Sequence, residues 1–492
     1  MTEPPRDNEM GPDRTPEAAT AQLRARLAGI DRLRRTWNGD HHGHREHGAI
    51  LERQAAVLQD IIDTRVALAR VRRSLAWRAL EAARRSRLRL RRAIMAVRGA
   101  RRRHRPRVGT PESVRRAPLG VNVAGYLTTE SGMGEAARLT IRSLHEAGIP
   151  ISLNNVESRL RMQDSSVSGF SDANPHPFNL VHLNADNMEW FASSRGADYF
   201  RDRYTIGYWF WELSEFRRDW MPAFDYVDEV WTATEFGRAA IAPRSPIPVV
   251  CIPLPILPPP ATHHGRSPFG LPDDEFVFLF TFDVSSQMAR KNPIGLIRAF
   301  RRAFPSPQGV RLVLKLTNAE YDRSAVRDLQ DEAAAAGALV LGGYLSRQDL
   351  GSLMRCADCY VSLHRSEGFG IGIAEAMALG KPVIATAYSG NMDLMTPQNS
   401  YLVNYRLVSI ERDHGPYLRG GTWAEPDLDH AATLMRQVVD NRAEATARGM
   451  LAARRIAETR APAVTGARVR RRLEQIQSGH GVDAGDGGLP RS

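Results

Sequence analysis

The sequence predicts an α/β protein: two tandem Rossmann-like domains facing a cleft, behind an α-helical, basic N-terminal extension. Three observations carry this. From Pro118 onward, short and nearly continuous apolar runs alternate with helical stretches, the pattern of parallel strands buried on both faces. The alternation occurs twice, on either side of a proline-crowded segment at 246–274. The charge is also uneven. The 492 residues carry 67 Lys+Arg and 55 Asp+Glu, a net +12. Residues 1–118 hold 28 arginines and 13 acids, whereas the remainder holds 39 basic and 42 acidic residues. A near-neutral body thus follows a basic arm.

Residues 1–20 read as a disordered tail. Residues 21–118 read as an Arg-rich helical extension and linker, being rich in Ala, Leu and Arg. Apolar residues from Val57 to Leu75 recur at mixed three- and four-residue steps, short of the heptads that define a coiled coil. Residues 65–107 hold 17 arginines and one acid, Glu81. Two readings stay open for them. One is a solvated helix and linker. The other is a peripheral anchor, with arginines on anionic headgroups and Trp77, Leu80, Leu88 and Ile94 at the acyl boundary. Nucleic acid fits less well, because only Trp77 is there to stack bases.

The N-terminal domain spans 119–255. Its strands are LGVNVAGYL (119–127), IPISLNNV (149–156), FNLVHLN (178–184), YTIGYWFWE (204–212), DEVWTATEF (228–236) and VVCIPLP (249–255), with a helix at 134–148. A Pro-rich hinge covers 256–274. The C-terminal domain spans 275–426. Its strands are EFVFLFTFD (275–283), RLVLKLTN (311–318), ALVLGGYL (338–345), CYVSLHRSE (359–367) and KPVIATAYSG (381–390). Its helices fall near 292–304, 321–336, 347–357 and 371–380. Helices at 427–476 pack back on the body, and 477–492 form a second disordered tail. Ligands of such sheets sit outside the carboxyl ends of the strands, so the cleft between the domains is the expected site.

Composition excludes several classes. Three cysteines build no disulfide framework. Cys356 and Cys359 spell C-x-x-C, but no second ligand pair exists for zinc, and the motif lies between a helix and a strand rather than at a helix start. They read as structural thiols. No apolar run reaches the length of a membrane span, and the acidic, Pro-rich N-terminus lacks a signal peptide's apolar core. A cytoplasmic setting follows, with the inner face of the membrane open to the basic arm. The acidic triplet Asp427-Leu428-Asp429 reads as a helix cap rather than a metal site, so no metal and no cofactor are expected.

The most informative segment is HRSEGFGIGIAEAMALGKPVIATAYSGNMDLM (364–395). A strand ends at Glu367, Gly368–Gly370 form a tight loop, and a helix begins near Ile371. Amides at that helix start can hold an anion. Glu375 lies eight residues after Glu367, so both carboxylates can face one pocket and accept from sugar hydroxyls. Alternatively, Glu375 supports the helix dipole and Glu367 is a surface charge.

With Glu-x7-Glu in this setting, the chain resembles retaining glycosyltransferase family four, of the GT-B fold, over roughly 119–460. The resemblance implies sugar transfer from a nucleotide diphosphate donor, with retention, to a glycan or lipid-linked acceptor in cell-envelope polysaccharide or glycolipid synthesis. It implies that Glu367 contacts the donor sugar and Glu375 the ribose. It also places the amides of Phe369, Gly370 and Ile371, beside Gly368, near the sugar and phosphates.

In FTFDVSSQMARKNPIGLIRAF (280–300), Arg290 and Lys291 precede a helix starting at Asn292–Pro293, a setting suited to a pyrophosphate. The family has an arginine where this chain has Ser286; either Arg290 takes that role, or the chain is a neighbouring family variant. Lysine is scarce: only Lys291, Lys315 and Lys381 stand among the 67 basic residues. Lys381 reads as fixing a turn, and Lys315 lies on a strand with its tip near the cleft. In TTESGMGEAARL (128–139), Gly132 and Gly134 allow close backbone approach to a ligand, and by the resemblance this loop faces the donor diphosphate and the acceptor across the cleft. Gly343 and Tyr344 fall in the turn expected at the base. His182 ends a strand and is either structural or, by resemblance, a catalytic group near the acceptor. Trp209 and Trp211 are either core or stacked on a sugar, and Trp211 and Glu212 are acceptor candidates. Two other readings are kept: a nucleotide-sugar epimerase on the same fold, and a non-catalytic scaffold.

Overall fold

The computed structural model describes residues 110–479 apart from 158–163, 165 and 263–264. Before residue 110 it describes only Ala28 and helical positions between 56 and 64. Residues 1–102 form one unit and 103–492 another. Both ends of the chain and the arginine-rich stretch 65–107 lie outside the described residues, and with them the anchor reading.

The larger unit contains two six-stranded sheets, and every pair within them is parallel. The first comprises β1 (Val121–Gly125), β2 (Ile151–Asn155), β3 (Phe178–His182), β4 (Tyr204–Tyr208), β5 (Glu229–Thr232) and β6 (Val249–Cys251), in the order β2-β1-β3-β4-β5-β6. The second comprises β7 (Phe276–Asp283), β8 (Val310–Thr317), β9 (Leu339–Leu341), β10 (Cys359–Ser362), β11 (Val383–Thr386) and β12 (Tyr401–Val403), in the order β12-β11-β10-β7-β8-β9. The apolar runs read in the sequence are these strands: β1 and β3 are buried at every position, as strands covered by helices on both faces must be. Each order reverses once, between β1 and β3 in the first sheet and between β7 and β10 in the second. Those reversals are where a doubly wound sheet opens a crevice.

Three features depart from the sequence reading. The fourth strand stops at Tyr208, so Trp209–Glu212 leave the sheet. An antiparallel hairpin, β13 (Tyr405–Ser409) with β14 (Thr422–Pro426), follows β12. The body also begins before Pro118: a short helix, Glu112–Arg116, buries Val114 in the core.

Helices Leu428–Asp440, Arg442–Arg460 and Pro462–Ser478 close the fold. The first two pack on second-domain helices, and the third crosses back to lie on helix Gly132–Glu146 of the first. Gly466 allows that approach, since a Cβ there would meet the Ser143 carbonyl oxygen at 2.4 Å. The buried pair Arg472–Glu229 (2.6 Å) fastens the same helix to β5. The helix runs to Ser478, and Gln477 donates to the Val114 and Ala117 carbonyls, so the closing helices extend past 476. Asp427 caps its helix by accepting from the amides of Asp429 and His430.

Candidate active site

The two strands beside the second sheet's switch point deliver the charged residues. After β7, Gln287 turns the chain at φ +69° into a one-turn helix, Met288–Lys291. Asn292, at φ +55°, caps the next helix by accepting from the Gly295 amide and donates to the Leu363 carbonyl beyond β10. That double role locks Arg290 and Lys291 against the segment bearing Glu367.

Lys291 Nζ lies 2.5 Å from Glu367 Oε1, and Arg290 Nη1 lies 3.1 Å from Glu367 Oε2. Arg290 also donates to the Ser366 carbonyl at 2.7 Å and to the Ser286 carbonyl at 3.3 Å. Its guanidinium therefore sits beside the position where the family arginine is missing. Burial opposes the Glu367 charge, but the fields of Lys291 and Arg290 outweigh it and hold the carboxyl down at about 2. Burial, helped by Arg290, lowers the Lys291 pKa against the pull of Glu367. Burial also works against the charge on Arg290, yet Tyr417, Glu367 and Glu212 around it raise its pKa.

The backbone of Glu367 is held at both ends. Its amide donates to Ser389 Oγ at 2.8 Å, and its carbonyl accepts from the Gly390 amide at 2.9 Å. Ser389 adopts φ +75°, ψ −150°, a region nearly reserved for glycine, so strain is stored where the carboxylate is positioned. From the first domain, Thr234 Oγ1 donates to the Gly368 carbonyl at 3.0 Å, and Ser366 Oγ bonds the Glu212 carbonyl.

Gly370, at φ +87°, starts helix Ile371–Ala378, whose buried Glu375 is ion-paired with Arg347. Burial raises the Glu375 pKa, and Arg347 counters that rise. Arg347 also lies 3.3 Å from Glu135 on the first domain's helix. Beside it, the Tyr344 hydroxyl lies 2.5 Å from Glu130 Oε1. The turn at Gly343–Tyr344 and the TTESGMG loop thus meet across the cleft. Burial pushes the Tyr360 pKa up, and the charges of Glu367 and Glu375 add to that rise.

Other candidates fall differently. Trp209 and Trp211 are fully buried: Trp209 stacks on Phe216, and Trp211 donates from its indole to the Glu215 carbonyl and packs on Trp220. Trp211 is therefore core and not a sugar platform, because the chain leaves β4 before it. Gly132 faces open space at the helix start, but Gly134 does not: a Cβ there would strike the Thr129 carbonyl at 2.1 Å. That glycine serves the packing of its own loop rather than a ligand. His182 is fully buried, stacked on Tyr208 at 4.6 Å, and neither ring nitrogen has a partner among the described residues. Burial lowers its pKa to about 3, so the ring is neutral. Phe369 is buried, with the Arg460 guanidinium 6.0 Å from its ring. Cys356 ends a helix and Cys359 opens β10, both buried, as structural thiols should be.

Two neighbours of the site were not foreseen. Arg347 carries no motif, and only its place at a helix start beside Gly343 hints at a role. Tyr417 comes from the β13–β14 connection. Its ring faces Arg290 at 5.7 Å, and its hydroxyl sits against the Glu212 carboxylate. Glu212 itself is close enough that a Cβ on Gly368 would lie 3.5 Å from its Oε1.

Residues 266–405 match the family described as Glycosyl transferases group 1. The match takes in β7 to β12 and ends where β13 begins. A D-inositol 3-phosphate glycosyltransferase of Xylanimonas cellulosilytica is 34% identical over 128 residues, 25% of this chain and 29% of that protein. The matched stretch thus spans under a third of that relative's length. Sucrose-phosphate synthase of Thermosynechococcus elongatus is similar in structure, with a TM-score of 0.54 and 14% identity, over 73% of this chain and 100% of that one. Anabaena HepE, solved with UDP and glucose, gives a TM-score of 0.52 at 14% identity, over 73% and 100%. A glycosyltransferase of Rickettsia africae gives 0.54 at 12% identity, over 73% and 98%. At these identities the likeness is one of fold: two Rossmann-like domains in the GT-B arrangement.

Proposed function

We propose that the chain is a retaining glycosyltransferase that moves a sugar from a nucleotide diphosphate donor to a glycan or lipid-linked acceptor. The observation that carries this is Glu367 clamped between Lys291 and Arg290 at the second switch point, with Glu375 on the helix that starts after Gly370. Two cations beside helix-start amides suit a diphosphate and counter the charge that grows as it departs. HepE, similar in fold, holds UDP and glucose. Glu375, ion-paired with Arg347, suits the paired hydroxyls of a ribose.

Two of the candidate groups, Glu367 and His182, favour attack on the same face. A carboxylate titrating near 2 and a histidine near 3 are both too weak as bases to deprotonate an acceptor at neutral pH. The departing diphosphate oxygen then takes the acceptor proton, and Lys291 and Arg290 stabilise it without a metal or cofactor. A cytoplasmic role in cell-envelope polysaccharide or glycolipid synthesis fits this chemistry. Among the described residues, no helix is long and apolar enough to cross a membrane.

The test is calorimetry with nucleoside diphosphates, followed by turnover of the matching nucleotide sugar. Lys291→Ala should lower turnover more than tenfold, roughly 1.4 kcal/mol or more of transition-state stabilisation, in folded protein. Glu375→Ala should weaken diphosphate binding more than Glu367→Ala. Wild-type turnover in Lys291→Ala would remove that residue from the mechanism, and equal affinities would end the division of roles.

A further inference from the structure

Two of the three lysines have plain partners: Lys291 pairs with Glu367, and Lys381 donates to the Arg355 carbonyl at 2.6 Å. Lys315 is different. It lies buried in β8, in register with Thr281 of β7, so both side chains share one face of the sheet. The Thr281 hydroxyl is 3.0 Å from the Tyr360 hydroxyl, and Gly372 packs over both. A Cβ on Gly372 would meet those oxygens at 3.2 and 2.5 Å. Lys315 therefore stands on the face covered by the helix that bears Glu375, near the carboxyl end of its strand.

Its ammonium donates to the Gly343 carbonyl at 2.7 Å and to the Leu316 carbonyl at 2.9 Å. An ammonium has three donors, and among the described residues neither a third acceptor nor a carboxylate lies against this one. Burial lowers its pKa to about 8, so charge persists at neutral pH. A buried cation without a counter-ion is costly, and it invites an acceptor from outside the chain.

The order of groups along the site indicates which part of a ligand arrives there. Lys291 and Glu367 mark the diphosphate and sugar, and Glu375 marks the ribose. Arg347, bonded to Glu375, lies just after the Gly343–Tyr344 turn. What continues past the ribose toward that turn is the base. We infer that the free donor of Lys315 reads an oxo group on the donor base, O4 of uracil or O6 of guanine, and rejects the amino group that cytosine or adenine carries there. The inference rests on the nucleotide-sugar reading. Its selectivity follows from the hydrogen bond, because an ammonium facing an amino group leaves both donors unpaired.

Matched pairs test it on the full chain: UDP against CDP, and GDP against ADP, by calorimetry. The wild type should bind the oxo member of one pair at least about tenfold more tightly, and Lys315→Met should bring that pair within about threefold. Lys315→Gln, whose amide donates or accepts alike, should also lose the preference while keeping a contact for the Gly343 carbonyl. A folded variant that keeps the preference, or that weakens both members equally, would overturn the inference. Equal binding of all four diphosphates by the wild type would do so too, while leaving the glycosyltransferase reading standing. Wild type that binds none of them would overturn both.

Discussion

The two switch points make the most instructive comparison in the molecule. In the first sheet, Gly125 and His182 end β1 and β3 as register partners. The histidine is neutral, fully buried and stacked on Tyr208. In the second, β7 and β10 lead into Arg290, Lys291 and Glu367, three charges held together by direct ion pairs. The same winding rule gives both domains a crevice, and only the side chains distinguish them. A fixed charge cluster suits the part of a reaction where charge develops, the departing diphosphate. A neutral, apolar strand end suits an uncharged acceptor. The proposed function therefore assigns each domain its place by its polar groups, since the topology does not separate them.

The largest effect that sharpens this contrast is expected from Glu367→Ala. It leaves the buried Arg290 and the half-buried Lys291 without their shared anion, and breaking a buried ion pair from one side costs about 3–5 kcal/mol. Denaturant unfolding should show a fall of that size, and a bound nucleoside diphosphate should restore much of it by supplying the missing negative charge. If Glu367→Ala unfolds like the wild type, the cluster is not the charged centre described above.

Much of the charged side was legible because it depends on short-range rules. Unbroken apolar runs such as Phe276–Phe280 mark strands buried on both faces, and the residues just after such strands are where the sheets bind. Glu367, Glu375 and Lys291 all fall there. What stayed hidden depends on long-range contacts. Nothing in WFWE tells that the chain leaves the sheet at Tyr208 and drops Trp211 into the core. Gly134 looks like a ligand-binding glycine until the Thr129 carbonyl is seen against it. Arg347 gains its meaning from Glu375 and Glu135, and Tyr417 from a hairpin that no local pattern announces.

The neutral side yields a pH prediction. Burial holds His182 at about 3, below the ordinary histidine value of 6.5, and on the charged side it holds His364, beside Glu367, Lys291 and Arg290, at about 4. The unfolded chain therefore binds protons between these values and 6.5 that the native state refuses. Stability from these sites is full above pH 6.5 and is lost as pH falls toward 4 and 3. For His182 alone the loss by pH 4 is roughly 3 kcal/mol. His182→Phe keeps a ring against Tyr208 and removes the titration, so unfolding free energy should fall less steeply between pH 6.5 and 4. An unchanged acid limb would show that His182 finds a proton acceptor in the native state, and the contrast between the two switch points would weaken.

The smallest effect is expected where the two sides touch. Tyr417 sits between them: its ring faces Arg290 of the charged cluster, and its hydroxyl meets Glu212 of the first domain, the acceptor-side candidate. Tyr417→Phe keeps the ring, and with it the cation–π contact of about 1 kcal/mol that steadies Arg290. Only the hydroxyl is lost, which frees the Glu212 carboxylate. Nucleoside diphosphate affinity should then stay within about twofold of wild type, while transfer to acceptor falls about tenfold, the low end for a hydrogen bond to a charged group. A drop in diphosphate affinity as large as the drop in transfer would assign the hairpin to the donor side, and the boundary between the two regions would move to include Glu212.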